Sequence, residues 1–147
     1  MTAALTPVNT DKLLSSSSLY QSFPVAGGET IQYGWLLMLD TATGCVKAGD
    51  AATGCIGVGR SNGYADNGAG ADGDVSVDVE YGVFYYSNSA GDAVTALEYG
   101  KLCYVEDNQT VAKTDAGGTL SPAGIVYELR GDGLVGVRMD PTSYPST

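Results

Sequence analysis

Glycines divide this chain into short segments, and their spacing limits what it can fold into. There are 21 glycines among 147 residues, and many stand in turn-like clusters with Asp, Asn or Thr. Between these clusters lie short runs such as 75–80, where Val75, Val77 and Val79 alternate with polar residues. Period-two alternation is typical of half-buried strands, and glycine weakens helices, so we predict an all-β protein.

The predicted fold is a small antiparallel β-barrel or sandwich with an extended N-terminal arm. Residues 35–39 form a continuous apolar run suited to a buried strand, and a Gly-Asp-Gly turn separates two apolar runs at 125–129 and 134–139 as in a hairpin. Residues 1–20 lack alternation and contain four consecutive serines, so we assign them to the arm. Residues 21–147 are predicted to form a single β-barrel-like domain.

The predicted arm carries apolar residues that a solvated tail does not need: Leu5, Pro7, Val8, Leu13 and Leu14. We therefore expect it either to dock on a partner or to fold back onto its own domain. In the first case, Leu13 and Leu14 help to anchor it.

An internal echo is visible in the pattern of strands and turns. The segment "GWLLMLD" with "CVKAGDAATGCIGVG" is followed about sixty-five positions later by "GKLCYVED" with "TVAKTDAGGTLSPAGIVYE". In this alignment Gly34 matches Gly100, Val46 matches Val111 and Gly54 matches Gly124. We interpret the echo as two related three-strand meanders that form the halves of one small barrel or sandwich. The alternative is chance similarity between short glycine-bounded strands.

The charge and the N-terminal sequence indicate the setting. The net charge is −10 with only 7 basic residues. Free nucleic acid and anionic membrane surfaces are therefore unfavourable partners, since both attract clustered Lys and Arg.

We find no signal-like or membrane-spanning apolar run. Cys45, Cys55 and Cys103 lack CxxC spacing, so we expect reduced core residues in a protein made in the cytoplasm.

The residue types argue against catalysis. The chain has no histidine, which removes the commonest general base and metal ligand. Most of the 17 acidic residues lie in glycine-rich turns, where Asp has a local structural role. We expect no catalytic residues and no cofactor.

One loop is a weak candidate for a metal site. The segment "DNGAGADGDVSVD" places Asp72, Asp74 and Asp78 where their oxygens can reach a Ca²⁺ ion. However, the loop departs from the calcium-binding nonapeptide pattern at Asp74 and occurs once, whereas that motif works by stacking copies. The alternative is a flexible acidic surface loop.

An aromatic cluster offers a second candidate for binding. Tyr81, Phe84, Tyr85 and Tyr86 lie close together in "EYGVFYYSN". Aromatic side chains beside Asn and Asp loops can stack on a sugar. The alternative is a strand with one core face and one wet face.

The second half of the chain resembles the small capsid cement, or head-decoration, proteins of tailed bacteriophages. In that family an alanine-rich turn leads into "G-K-x-x-Y-V-x-D-x-x-T-V", then a "G-x-V" strand and a closing hairpin that ends in "V-x-V". Here the corresponding segments are "VTALEYGKLCYVEDNQTV" and "AGIVYELRGDGLVGVRMD". The first half, with "GWLLMLD", "GCVKAGD" and "GCIGVG", is similar to the family's opening strands. The resemblance covers roughly residues 25–140.

The resemblance implies a barrel-like virion protein that binds the major capsid protein on the outside of the head, often as a trimer. It also implies that an N-terminal arm fastens the protein to the shell, which gives Leu5, Pro7, Val8, Leu13 and Leu14 a capsid-binding role. The chain departs from shorter members in its acidic loop at 62–74 and its long arm. A glycan- or host-surface-binding module of a head fibre or spike is the alternative function.

Overall fold

The structure, a computed structural model, describes residues 19–140 and is built almost entirely of strands. This part of the chain contains eleven strands and a short 3-10 turn at Ala96–Glu98. The strands are β1 Leu19–Pro24, β2 Thr30–Ile31, β3 Leu36–Asp40, β4 Val46–Ala48, β5 Cys55–Ser61, β6 Ala65–Asp66, β7 Ser76–Asn88, β8 Leu102–Asp107, β9 Thr110–Ala112, β10 Pro122–Leu129 and β11 Val135–Met139. The prediction of an all-β fold is confirmed, and β10 and β11 form the predicted hairpin.

Five strands close into a barrel, which we call the C-terminal ring. Its order is β7, β11, β10, β8 and β9, and β9 returns to the C-terminal half of β7. The β7–β9 junction is parallel, whereas the other pairings in this ring are antiparallel. The predicted barrel is therefore present, with one parallel junction at its closure.

The remaining long strands form a second circuit, the N-terminal ring. Its order is β1, the N-terminal half of β7, β5, β3 and β4. A parallel bridge between Val46 of β4 and Val25, just after β1, completes the circuit. The 13-residue strand β7 thus belongs to both rings.

The two rings repeat one pairing pattern. Strand β3 pairs with β5 and β4 in the same register as β8 pairs with β10 and β9. The equivalent residues, in order, are Leu36, Leu37, Met38 and Leu39 in β3 and Leu102, Cys103, Tyr104 and Val105 in β8. Both patterns have a register shift at the same place, around Val58 and Ala123. Two backbone bonds also recur: Gly34 N donates to Ser61 O as Gly100 N donates to Val126 O, each over 2.9 Å.

This repeat supports the echo seen in the sequence and corrects two of its details. The two meanders are not halves of one barrel, because each belongs to its own ring. In addition, Gly124 corresponds to Gly59 rather than to Gly54. Gly124 pairs with Cys103 and Gly59 pairs with Leu37, and Cys103 and Leu37 are equivalent positions of the repeat.

Each ring encloses its own core, and the strands between the rings serve both. Val77 and Val79 of β7 point into the N-terminal core, whereas Tyr86 on the opposite face lies in the C-terminal core. Strand β3 does the same, because Leu37 faces the N-terminal core while Leu36 and Met38 enter the C-terminal one. Burial on both faces explains the continuous apolar run of β3.

The rings meet in a close backbone contact, which we call the inter-ring contact. A Cβ on Gly57 would lie 2.1 Å from Ala123 O, and one on Gly49 would lie 2.9 Å from Asp107 O. Leu36 N donates to Asn108 O over 2.9 Å. The turn between β8 and β9 therefore seats the end of the C-terminal ring on the outer face of the N-terminal ring.

Candidate functional site

The most exposed aromatic cluster lies on the outside of the C-terminal ring. We call it the tyrosine surface, and it consists of Tyr85, Tyr99, Tyr127, Glu128 and Arg130. The exposed fraction is 61% for Tyr127, 47% for Tyr99 and 37% for Tyr85. A rigid exposed group of Tyr and Arg is typical of protein interfaces, where these residue types dominate binding energy.

Local structure positions each member of this surface. Tyr85 lies on β7 opposite Gly136. Because Gly136 has no side chain, the Tyr85 aromatic ring and the Glu128 side chain have room to lie over it. The β10–β11 pairing shifts register between Val126 and Glu128, which places Tyr127 at a bulge. Bulges re-aim side chains, and here Tyr127 is mostly exposed.

Hydrogen bonds hold the tyrosine surface in place. The Tyr85 hydroxyl donates to Glu128 Oε1, and Leu129 N donates to the Tyr99 hydroxyl over 2.8 Å. The Arg130 guanidinium lies over the Tyr85 ring, with 4.2 Å from Cζ to the ring centroid. Because these contacts fix the side chains before binding, the surface loses little conformational freedom in a complex.

The charges near this surface are also fixed. The hydrogen bond to Glu128 raises the pKa of Tyr85. Arg130 donates from Nη2 to Asp132 Oδ2 over 2.7 Å, and this bond lowers the pKa of Asp132. Tyr85 therefore stays neutral and Arg130 charged near neutral pH, so the surface can bind through stacking and hydrogen bonds. No group here is arranged as a nucleophile and base.

The sequence identified only part of this surface. Tyr85 belongs to the predicted aromatic cluster, but Tyr86 is 4% exposed in the C-terminal core and cannot stack on a ligand beside it. Burial raises the pKa of Tyr86. Tyr99 and Tyr127 were missed. One signal for Tyr99 was available, because a Tyr-Gly pair begins each repeat and the equivalent Tyr33 is also exposed.

A partly buried ion pair lies where the two rings share β7. Arg60 of β5 donates to Glu80 of β7, and its guanidinium lies 4.9 Å from the Phe84 ring centroid and 5.4 Å from that of Tyr33. Burial opposes the charge on Arg60 and is the largest single influence, but the hydrogen bond to Glu80 and the nearby negative charges together outweigh it and raise the pKa of Arg60. This arrangement ties β5 to β7 and has a structural role.

The acidic loop uses its carboxylates in its own hydrogen bonds. Asp72 Oδ1 accepts from Gly27 N over 2.8 Å, and Asp74 Oδ2 accepts from Ala71 N over 2.9 Å. Asp78 is exposed on β7 opposite Ser22, and its backbone oxygen accepts from Asn62 N over 2.9 Å. Within residues 19–140, no group of three or more His, Cys, Asp or Glu side chains is placed to hold a metal ion. The structure thus does not assemble the three predicted calcium ligands.

The cysteines are buried, and the arm residues singled out in the sequence are not among those that the structure describes. Cys45, Cys55 and Cys103 are all free and buried, and burial raises the pKa of Cys103 to about 12. Leu5, Pro7, Val8, Leu13 and Leu14 lie outside the described residues. Leu19 and Tyr20, which the sequence assigned to the arm, instead begin β1.

Comparison with known proteins gives no match: no family model, no curated protein and no solved structure matches this chain. In the part of the chain that the structure describes, no helix is long and apolar enough to cross a bilayer.

Proposed function

We propose that this chain is a structural virion protein that binds the outside of a phage capsid and stabilises it, as a trimer on the major capsid protein. One structural observation carries the proposal beyond the sequence resemblance. The segment that follows the predicted arm enters the fold directly as β1, and all six residues of β1 pair with β7. An arm bound to the shell would thus be joined to the strand that both rings share.

The tyrosine surface supports the same proposal. Besides the arm, the exposed side chains of Tyr85, Tyr99 and Tyr127 offer a second contact surface. Binding through two linked contacts, or through several arms of a trimer, can raise affinity by roughly 10²-fold or more without any new contact. The acidic charge fits an external position, since no DNA contact is required.

The tyrosine surface also favours a second candidate function, a glycan- or host-surface-binding module of a head fibre or spike. Exposed tyrosine rings with neighbouring Glu and Arg groups can stack on a sugar and bond its hydroxyls. In that case the tyrosine surface alone carries binding, and the arm has no part in recognition. The two functions therefore predict different effects of arm deletion.

The deciding experiment is co-sedimentation with phage heads stripped of this protein. The full chain is compared with a variant lacking residues 1–18, since β1 begins at Leu19 and a longer deletion would remove a paired strand. We expect saturable binding by the full chain and at least tenfold weaker binding by the deletion. Absence of binding by the full chain would overturn the proposal, and a glycan-binding screen would then test the alternative.

Point substitutions test the arm more finely. We expect the Leu13→Asp, Leu14→Asp double variant to bind heads about as weakly as the arm deletion. The matched control is Ser16→Asp, Ser17→Asp, which adds the same charge to the arm without removing apolar side chains. Equal binding by the leucine variant and the wild type would remove the anchoring role of these two leucines.

A further inference from the structure

An open groove of about 670 Å³ lies on the outer face of the C-terminal ring. Seven of the described residues line it: Glu98, Lys101, Leu102, Tyr104, Lys113, Thr114 and Asp115. Leu102 and Tyr104 belong to β8 and are half-buried, as are Leu120 and Pro122 on the adjoining part of this face. The groove therefore exposes apolar surface on a strand whose other face is buried.

The repeat shows what covers the equivalent face in the N-terminal ring. Leu102 and Tyr104 correspond to Leu36 and Met38, which are fully buried. The C-terminal ring covers those residues through the inter-ring contact, with Val105 and the β8–β9 turn seated on them. The C-terminal ring has no third ring to cover its own face among the described residues.

The complementary surface is present at the end of the N-terminal ring. In the inter-ring contact, the C-terminal ring contributes Val105 and Ser121, which are 0% and 2% exposed. Their equivalents in the N-terminal ring, Leu39 and Ile56, are only half-buried. The neighbouring turn at 41–44, equivalent to the β8–β9 turn, is exposed. The molecule thus carries a second, uncovered copy of each side of the inter-ring contact. One is the groove on the C-terminal ring, and the other is the end of the N-terminal ring at Leu39, Ile56 and the turn at 41–44.

We propose that the groove binds a second copy of this chain, whose N-terminal ring packs on the C-terminal ring of the first copy in the way that the two rings pack within one chain. The turn at 41–44 of the second copy lies against Leu102 and Tyr104. This contact is heterologous, because two different surfaces meet, so copies assemble into a closed ring or continue as a filament. The inference extends the homo-oligomer part of the proposed function and does not depend on capsid binding.

The groove carries as many acidic as basic side chains. Lys101 and Lys113 line it together with Glu98 and Asp115, and neither lysine forms an ion pair with a residue in 19–140. Their positive charge helps to lower the pKa of Glu98, after the hydrogen bond from Thr95. A second copy carries a net charge of −10. The acidic residue Asp40 directly precedes its turn at 41–44, which faces the groove in the proposed contact. The two lysines balance the two acids, so the groove itself adds no net negative charge where the acidic copies meet.

Engineered cysteines test the geometry of this contact. Within one chain Gly49 lies against Asp107, and the repeat-equivalent positions are Thr114 and Thr41, both exposed. We expect a mixture of the single variants Thr41→Cys and Thr114→Cys to form a dimer with a short bismaleimide crosslinker. Either variant alone should not, because like positions do not meet. The native cysteines are buried and give little background.

Analytical ultracentrifugation gives the second readout. Tyr104→Asp should weaken self-association of the full chain by about tenfold or more, as expected for a central interface tyrosine. The matched control is Tyr64→Asp at a 62% exposed position outside the groove, which should associate like the wild type. Thermal melting of both variants checks that each remains folded.

Three results would overturn the inference: a wild-type chain that stays monomeric at high concentration, a mixture of the two cysteine variants that crosslinks no more than either variant alone, or normal association of a folded Tyr104→Asp variant. A chain that self-associates as expected but does not bind stripped heads would leave this inference standing and remove the proposed function. A monomer that binds heads would remove this inference and the proposed trimer, and would leave capsid binding standing.

Discussion

At the residue scale, the close approach of the two rings depends on Gly57. A Cβ there would lie 2.1 Å from Ala123 O and 2.8 Å from Ala123 C, both backbone atoms that cannot rotate away. We expect Gly57→Ala to lower the free energy of unfolding by about 1–3 kcal/mol, because the rings must separate to admit the methyl group. Urea unfolding followed by circular dichroism measures this change.

Gly63 provides the control for this prediction. No atom lies within 4 Å of a Cβ built on Gly63, so Gly63→Ala should change stability by no more than about 0.5 kcal/mol. If Gly57→Ala were as stable as Gly63→Ala, the inter-ring contact would not be as tight as described.

Single residues also show how far the sequence alone can lead. Alternating glycines such as those of "CIGVGR" favour close backbone approach within a strand, and Gly57 and Gly59 both show it. The partners, Ala123 and Glu80, were not predictable, because they are distant in the chain. Likewise, the sequence placed Tyr85 and Tyr86 together, but which of two neighbours on a strand faces water depends on what packs against each face.

At the scale of elements, Asn67 organises the acidic loop. This side chain is 3% exposed, and its Nδ2 donates to Ala71 O, Val25 O and Ala26 O at 2.9, 3.0 and 3.2 Å. We expect Asn67→Ala to cost about 1–3 kcal/mol of stability, since the carbonyls lose a buried donor. Thermal and urea unfolding check the value.

The comparison variant is Asn62→Ala, at a half-buried position whose side chain forms no hydrogen bond with residues 19–140. Its stability should stay within about 0.5 kcal/mol of the wild type. Similar losses in both variants would mean that Asn67 does not hold the loop. The sequence showed that this segment is a turn-rich loop, but Asn67 was indistinguishable from other turn residues without the carbonyls that surround it.

At the scale of the whole molecule, the two cores should unfold together. Strands β3 and β7 each have one face in the N-terminal core and the other face in the C-terminal core, so neither ring can lose its packing alone. Trp35, the only tryptophan, packs against the N-terminal core and reports on that ring. We expect Trp35 fluorescence and circular dichroism to give one coincident urea transition.

A substitution in the other ring makes this test sharper. Val137 is fully buried in the C-terminal core, and Val137→Ala should cost roughly 1–3 kcal/mol. The Trp35 transition should shift by the same amount as the circular dichroism transition. A Trp35 midpoint that did not move would show that the rings unfold separately.

The sequence predicted the repeat but not the two rings. Local patterns such as the shared Tyr-Gly pair and the matching turns identify equivalent segments. Ring closure instead depends on contacts between distant segments, above all the sharing of β7 and the parallel returns at Val25 and Asn88. Turn signals do not encode such pairings, because they fix only the strands next to each turn.

The pairing of β1 with β7 also determines how this protein would respond to mechanical tension. A pull at Leu19 that is directed along β1 meets ladder hydrogen bonds to β7 that run across the strand. The six register pairs are therefore loaded in shear and must rupture together, unlike a hairpin that is peeled open one pair at a time. A load applied in this direction is therefore shared along the whole of β1, which joins the strand that belongs to both rings.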